Sequence, residues 1–188
     1  MQYGNLIITA PALNASEHSE AEIFGSIVWL WMHSKSQSDM PLYALSLWLL
    51  PALKSKQFVL AYETDGQQTK PVAYMAWAQL SAEAESRYVK NSALGLSPKD
   101  WRSGDRFWIT DFFTPYGHAK QFSDAIAATL SDFCFRSLYH RGADRGMRVL
   151  YFRGDHVPLE NAKQWWKDRP ILARRATQLE DEVNRTLS

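Results

Sequence analysis

The chain has 188 residues, of which 46% are hydrophobic and 22% charged, and its formal net charge is +1. These proportions fit one globular domain with a sizeable core. The balance of 21 basic and 20 acidic residues lacks the broad positive surface of a nucleic-acid-binding protein, so no nucleic-acid partner is expected. The single cysteine, Cys134, excludes an internal disulfide and a cysteine-rich zinc site.

The N-terminal part of the chain predicts an arm followed by two apolar helices. Residues 1–20 show little periodicity, whereas residues 21–33 are apolar on nearly every side at helical spacing, which indicates a buried helix. A second helix is predicted through residues 41–50, with Ser38 or Asp39 as its cap. Neither apolar run reaches the roughly 20 residues of a membrane span, and the N-terminus lacks the pattern of a signal peptide. We therefore expect a cytoplasmic protein without a membrane span.

The rest of the chain alternates between strand and helix patterns. Predicted strands cover residues 57–63, 71–80, 106–115 and 148–154, and the Asp-Gly pair between the first two predicts a hairpin. An exposed helix is predicted at residues 81–91 with Ser81 as its cap, and a second helix at residues 119–139 with Cys134 as a small buried residue. A charged helical tail is predicted from residue 159. This order predicts an α/β (α+β) fold with a mixed, mostly antiparallel central sheet flanked by helices. The predicted organisation is an arm at 1–20, one domain at 21–158 and a helical tail at 159–188 packed on the same domain.

The strand at 106–115 carries a carboxylate among apolar side chains. Strict alternation places Asp111 on one face of the strand, which it shares with Phe107, Ile109 and Phe113. An isolated buried carboxylate costs several kcal/mol unless it is paired, hydrogen-bonded or protonated. The sequence leaves two partners open. One is an arginine, such as Arg106 or Arg136, and the other is a histidine that the carboxylate orients, as in acyl-transfer enzymes.

His33 directly follows the first apolar helix. Because the helix dipole favours a histidine at a C-terminus, this position alone does not require a catalytic role. No two of the five histidines have the spacing of a metal-binding pair, so no metal site is expected.

Five segments carry a family resemblance in the same order as in the family. They are GSIVWLW, LLPAL, QFVLAY, PVAYMAWAQLS and WRSGDRFWITDFFTPYG. Residues 24–117 resemble the RTX toxin-activating lysine acyltransferases, the hemolysin-activating proteins, which are related to the Gcn5-type N-acetyltransferase fold. The resemblance implies a protein-lysine fatty acyltransferase that moves an acyl chain from acyl carrier protein to internal lysines of an RTX-type protoxin. It implies no bound cofactor, and it leaves a homodimer open.

Of the family's two catalytic positions, one carries the family's residue type here and the other does not. Its aspartate, in the strand after Ser-Gly-Asp-Arg, falls on Asp111, whereas its histidine falls on Gln37 and the following arginine on Ser38. Glutamine cannot act as a general base near neutral pH. Two interpretations follow: the base has moved to His33, oriented by Asp111, or the chain is a catalytically silent relative that binds its client or acyl carrier protein without transfer. An acyltransferase for another acceptor, such as a small amine, is also left open.

Further residues are predicted to bind the substrates. Candidates for an acyl groove are Trp29, Trp31 and Trp77, although core packing explains them equally well. Gln37, Ser38 and Arg106 are predicted substrate-binding residues, and the backbone N–H groups of residues 38–39 are candidates to bind an oxyanion. An acidic donor protein needs a basic surface, for which the candidates are Lys163, Lys167, Arg169, Arg174 and Arg175.

Overall fold

The computed structural model describes residues 1–13, 18–35, 37–65, 68–91, 95–139 and 148–172. Its strands are β1 Gln2–Tyr3, β2 Leu6–Thr9, β3 Phe58–Asp65, β4 Gln68–Leu80, β5 Arg106–Phe113, β6 Cys134–Tyr139 and β7 Arg148–Arg153. Its helices are α1 Glu20–Met32, α2 Ala44–Trp48, α3 Leu50–Ser55, α4 Ala82–Asn91, α5 Ala119–Thr129 and α6 Leu159–Asp168, with a 3-10 helix at Pro98–Trp101. The end of the predicted tail, including Arg174 and Arg175, lies outside the described residues.

The strands form one seven-stranded sheet in chain order from β1 to β7. Neighbouring strands are antiparallel except β5 and β6, which run parallel and are connected through α5. This confirms the predicted mixed, mostly antiparallel sheet, whereas the likeness to N-acetyltransferases stays a prediction. Residues 2–9, predicted to lie in an arm, supply β1 and β2, and Leu6 and Ile8 are buried. The start of the chain is therefore part of the sheet.

Two apolar clusters cover the two faces of the sheet. The first cluster packs α1, α3 and α4 against one face and contains Trp31, Tyr74, Tyr88, Trp108 and Phe113. The second cluster packs α5 against the other face and contains Met75, Trp77, Phe107, Ile109 and Phe122. Because residues of β4 alternate between the clusters, its side chains fill the core on both sides.

Local sequence signals determine where the helices that flank the site begin. Ser19 and Glu22 form a reciprocal capping box at the start of α1. Ser81 accepts a hydrogen bond from the backbone N–H of Ala84 at the start of α4, which confirms the predicted cap. The predicted hairpin also forms, since Asp65 pairs with Gln68 across the end of β3 and β4.

Two predicted helices are wrong. The helix predicted at 119–139 ends at Thr129, and Cys134–Tyr139 forms β6 between β5 and β7. The second apolar helix is split into α2 and α3, and α2 starts at Ala44 without a side-chain cap, so neither Ser38 nor Asp39 begins it. In the first case strand pairing overrides a helical pattern, because the sequence does not reveal the neighbouring strands.

In the part of the chain that the structure describes, no helix is long and apolar enough to cross a membrane.

Candidate active site

A β-bulge in β5 determines which way Asp111 faces. Where β4 pairs with β5, Trp77 lies opposite Ile109, whereas Ala76 lies opposite Asp111. Thr110 is therefore an extra residue in β5, and an extra residue reverses the alternation of the side chains that follow it.

The predicted face of Asp111 is wrong for this reason. Phe107 and Ile109 lie in the second cluster, but Phe113 lies with Trp108 in the first. Because Asp111 stands two residues before Phe113 and after the bulge, it faces the first cluster.

The charge of Asp111 affects the pKa values of two tyrosines in the first cluster. Burial and, after it, the negative charge of Asp111 raise the pKa of Tyr74 and of Tyr88 above the usual value. The Tyr88 hydroxyl donates to the Ile109 carbonyl oxygen at 3.1 Å. Both tyrosines therefore stay protonated and remain hydrogen-bond donors near Asp111.

Asp111 is partly buried and lacks a charged partner. Among the described residues it makes no ion pair and no hydrogen bond, so the predicted arginine partner is not found. Burial in these apolar surroundings raises the pKa of Asp111 from 3.8 to about 7. A carboxyl group that titrates near neutral pH is suited to proton transfer.

The two arginines instead bind Glu85, a buried carboxylate that sequence analysis missed. Arg106 Nη1 lies 2.6 Å from Glu85 Oε2, and Arg136 Nη1 lies 2.9 Å from Oε1. The indole N–H of Trp108 also donates to Glu85 at 2.7 Å. The sequence carries no clear signal for Glu85, because it lies in a charged helix that we predicted to be exposed. Arg106, predicted to bind substrate, thus lies in a structural ion pair at the other end of β5 from Asp111.

His33 is the C-terminal cap residue of α1 and is exposed. Its Nδ1 lies 2.7 Å from the Trp29 carbonyl oxygen. Because a carbonyl only accepts, Nδ1 carries the proton in this contact, and the neutral ring keeps its lone pair on Nε2. No hydrogen bond joins His33 to Asp111 in this conformation, so it is Trp29 that orients the imidazole here.

The end of α1 nevertheless lies beside the end of β5. Trp31 packs edge-on against Phe113 with ring centroids 6.3 Å apart, and the ring of His33 lies 5.5 Å from that of Tyr116. The structure thus brings His33 and Asp111 to neighbouring elements on one face of the sheet.

Two polar groups beside these residues are buried without a hydrogen-bond partner among the described residues. They are the indole N–H of Trp31 and the hydroxyl of Tyr74. The Tyr74 ring also contacts Phe113, with centroids 5.1 Å apart. Unpaired buried donors are costly, and a bound carbonyl oxygen is the kind of group that would satisfy them. We define the candidate active site by Trp31, His33, Tyr74, Asp111 and Tyr116.

The remaining predicted positions do not all converge on this site. Gln37 lies in a turn and accepts a hydrogen bond from the Ser34 hydroxyl, so it does not share a helix face with His33. The N–H of Ser38 donates to the Ser34 carbonyl at 2.9 Å, which leaves it unavailable to an oxyanion.

The three predicted tryptophans lie in different environments. Trp29 is half-exposed and its ring lies tilted against that of His33, with centroids 4.7 Å apart, whereas Trp31 is buried in the first cluster. Trp77 is buried in the second cluster on the opposite face and stacks on Phe107. The structure therefore does not bring all three into one groove. Within the described ranges, no group of three metal-binding side chains is placed to hold a metal ion.

Comparison with known proteins gives the class of this site. The sequence model of the RTX toxin acyltransferase family matches residues 16–153. The leukotoxin-activating lysine-acyltransferase LktC (serotype A1) of Mannheimia haemolytica is 30% identical over 164 residues, which cover 86% of this chain and 93% of that protein. The protein-lysine myristoyltransferase RtxC of Kingella kingae is 34% identical over 140 residues, covering 74% and 81%. The protein-lysine myristoyltransferase HlyC of Escherichia coli is 32% identical over 146 residues, covering 78% and 83%.

The family match covers the strands and helices that form the candidate site. Together with the relatives, it defines the protein as an acyltransferase. The chain belongs to the RTX toxin acyltransferase family.

Proposed function

We propose that this acyltransferase moves a fatty acyl group from acyl carrier protein to the ε-amine of internal lysines of an RTX-type protoxin in the cytoplasm. The main support from the structure is Asp111, a carboxyl group with a pKa of about 7 and no ion-pair partner among the described residues, beside the helix end that carries His33. The relatives named above are lysine acyltransferases, which agrees with a lysine acceptor.

The proposed reaction needs a base because a lysine amine is almost wholly protonated near pH 7. His33 Nε2 accepts the ammonium proton, and the free amine attacks the carbonyl carbon of the acyl thioester. The carbon–sulfur bond then breaks as the nitrogen loses its second proton, which yields the amide. That second proton passes to the departing thiolate, and the first is released from His33 to solvent. Asp111 in its charged form stabilises the imidazolium of His33.

The oxyanion in this reaction needs hydrogen-bond donors. The Trp31 indole N–H and the Tyr74 hydroxyl are buried donors without partners among the described residues, and we propose that they bind it. Preorganised donors of this kind contribute strongly to acyl transfer because they need no rearrangement during the reaction. No bound cofactor enters the proposed scheme, and the homodimer stays a prediction.

A second candidate function is binding without transfer. It is favoured by Gln37, which stands at the family's histidine position and is held by Ser34, and by the Trp29 carbonyl that holds His33. In this alternative the chain forms a complex with its client or acyl carrier protein, and no acyl group moves.

Co-expression with acyl carrier protein and an RTX-type protein tests both functions through the intact mass of the client. We expect a fatty-acyl-sized mass increase, which is lost in His33→Ala and in Asp111→Asn. The matched control is His156→Ala, since His156 is an exposed histidine that pairs with Asp132 away from the site. A stable complex without any mass increase would establish the binding function instead.

A further inference from the structure

A basic groove lies between the α2–α3 segment and the 3-10 helix at 98–101, with a volume of about 420 Å³. Its walls combine three cations with apolar side chains, namely Lys54, Lys99, Arg102, Leu50, Pro51 and Pro98. No carboxylate is among the described residues that line it. We propose that this basic groove binds the phosphodiester of the phosphopantetheine arm on which acyl carrier protein presents the acyl group; the inference rests on the proposed function.

The cations of the basic groove are available to an anion. Lys99 makes no ion pair with any described residue, and Arg102 donates one N–H to the Ser55 carbonyl without binding a carboxylate. Lys54 contacts Glu20 at 2.5 Å, but both side chains are more than half exposed, and exposed ion pairs contribute little. Arginine is suited to a phosphodiester because its guanidinium donates two parallel hydrogen bonds to phosphate oxygens.

The Trp-Arg-Ser-Gly part of the family motif holds Arg102 in place. Trp101 is buried in the first cluster, and the Ser103 hydroxyl accepts the N–H of Ser81 at 2.8 Å. A Cβ on Gly104 would lie 2.5 Å from a carbonyl oxygen at the end of β4, so only glycine fits there. Since the residues on both sides are fixed against β4, the Arg102 side chain starts from a rigid point beside the basic groove.

The basic groove lies on the same face of the sheet as the candidate active site. Its walls belong to elements whose buried residues, such as Leu53 and Trp101, join the first cluster. Arg102 bridges to Gln79 on β4, and Asp111 pairs with Ala76 on the same strand. Gln79 and Ala76 are three residues apart, which corresponds to about 10 Å along a strand. An extended pantetheine arm can bridge that separation.

The basic surface predicted on the C-terminal helix is less suitable. Lys163 contacts Glu160, and Arg169 binds Asp105 through two N–H groups. Trp165, on the same helix, packs against the second cluster. This surface therefore has its charges partly neutralised, and it adjoins the face of the sheet opposite Asp111.

Donors with and without the phosphate test the proposal. Steady-state transfer is measured from acyl-acyl carrier protein, acyl-phosphopantetheine and acyl-pantetheine, which lacks the phosphate. We expect Arg102→Gln and Lys99→Gln to raise KM roughly tenfold for both phosphate-bearing donors, with kcat and the KM for acyl-pantetheine unchanged. Lys120→Gln is the matched control, because Lys120 is 89% exposed on α5 over the other face, and it should change neither constant.

Two results with the groove variants would overturn the proposal. One is an unchanged KM for the phosphate-bearing donors in both variants, and the other is an equal rise for acyl-pantetheine. A KM for acyl-coenzyme A at or below that for acyl-acyl carrier protein would overturn the carrier protein as the occupant. Calorimetric titration with phosphopantetheine gives a separate measurement: binding to the wild type that weakens in Lys99→Gln supports the basic groove even where no acyl transfer occurs, and no binding contradicts it.

Discussion

Glu85 and Arg136 form an ion pair inside the protein, with 2.9 Å between Oε1 and Nη1 and 1% of each side chain exposed. Arg106 binds the other carboxylate oxygen. Both arginines that the sequence offered as partners for Asp111 are therefore engaged elsewhere. Of these two carboxylates in the described part of the chain, Glu85 is neutralised by arginines, whereas Asp111 titrates near neutral pH.

The first prediction concerns Glu85→Gln. Burial raises the pKa of Glu85 and lowers the pKa of Arg136, so the isolated charges are costly and each depends on the other. Removing the carboxylate leaves a buried guanidinium without its counter-ion, and we expect a loss of about 3–5 kcal/mol in the free energy of unfolding. Unfolding in denaturant measures this loss in free energy. Glu160→Gln, which removes an exposed ion pair, should change it by less than about 1 kcal/mol; equal losses in both variants would contradict the prediction.

The second prediction concerns the pH dependence of stability at Asp111. Folding raises its pKa from 3.8 to about 7, so between these values the folded protein keeps a proton that the unfolded chain has released. The contribution of this retained proton to the free energy of unfolding is fully present below pH 3.8. It falls, as pH rises towards 7, by up to about 1.4 kcal/mol per pH unit. Asp111→Asn removes the dependence and should raise the melting temperature more at pH 8 than at pH 5. The control Asp155→Asn, at an exposed position, should not change the melting temperature in this pH-dependent way. The same shift at both pH values in Asp111→Asn would refute the assignment.

The third prediction concerns the rate of acyl transfer. Because the proposed reaction uses the charged form of Asp111, kcat/KM should rise through an inflection near pH 7. Asp111→Asn should lower the rate on the order of 100-fold, and its pH profile should lose the contribution of Asp111. Initial rates of amide formation between pH 5.5 and about 8.5 provide the test. A pH profile of the same shape in both proteins would assign the inflection to another group.

The sequence predicted the parts of the fold that depend on local pattern. The apolar helix α1, the β3–β4 hairpin and the cap at Ser81 all follow from spacing or turn residues. Asp111 was found because one carboxylate interrupts an apolar strand, and that signal does not depend on which face it occupies.

The parts that could not be predicted depend on contacts between distant segments. The bulge at Thr110 appears only when β5 pairs with β4, and β6 forms only because strands lie on both of its sides. Glu85 occupies a helix of ordinary charged composition, and its burial is explained by Arg106 and Arg136, which reach it from other elements. Long-range pairing of this kind leaves no periodic signal.

The last prediction tests whether the catalytic base has moved along the chain. Gln37 stands at the family's histidine position, four residues after His33, and it lies partly buried in the turn that follows α1. If His33 is the base, His33→Ala should lose transfer, and adding Gln37→His in that background should restore part of it, because an imidazole then stands at the family's histidine position. The intact mass of the co-expressed client measures both the loss of acyl transfer and its recovery. Ser38→His provides the matched control, since Ser38 is exposed in the same turn and an imidazole there should not restore transfer. Equal recovery with histidine at either position, or full transfer in His33→Ala alone, would remove His33 from the proposed reaction.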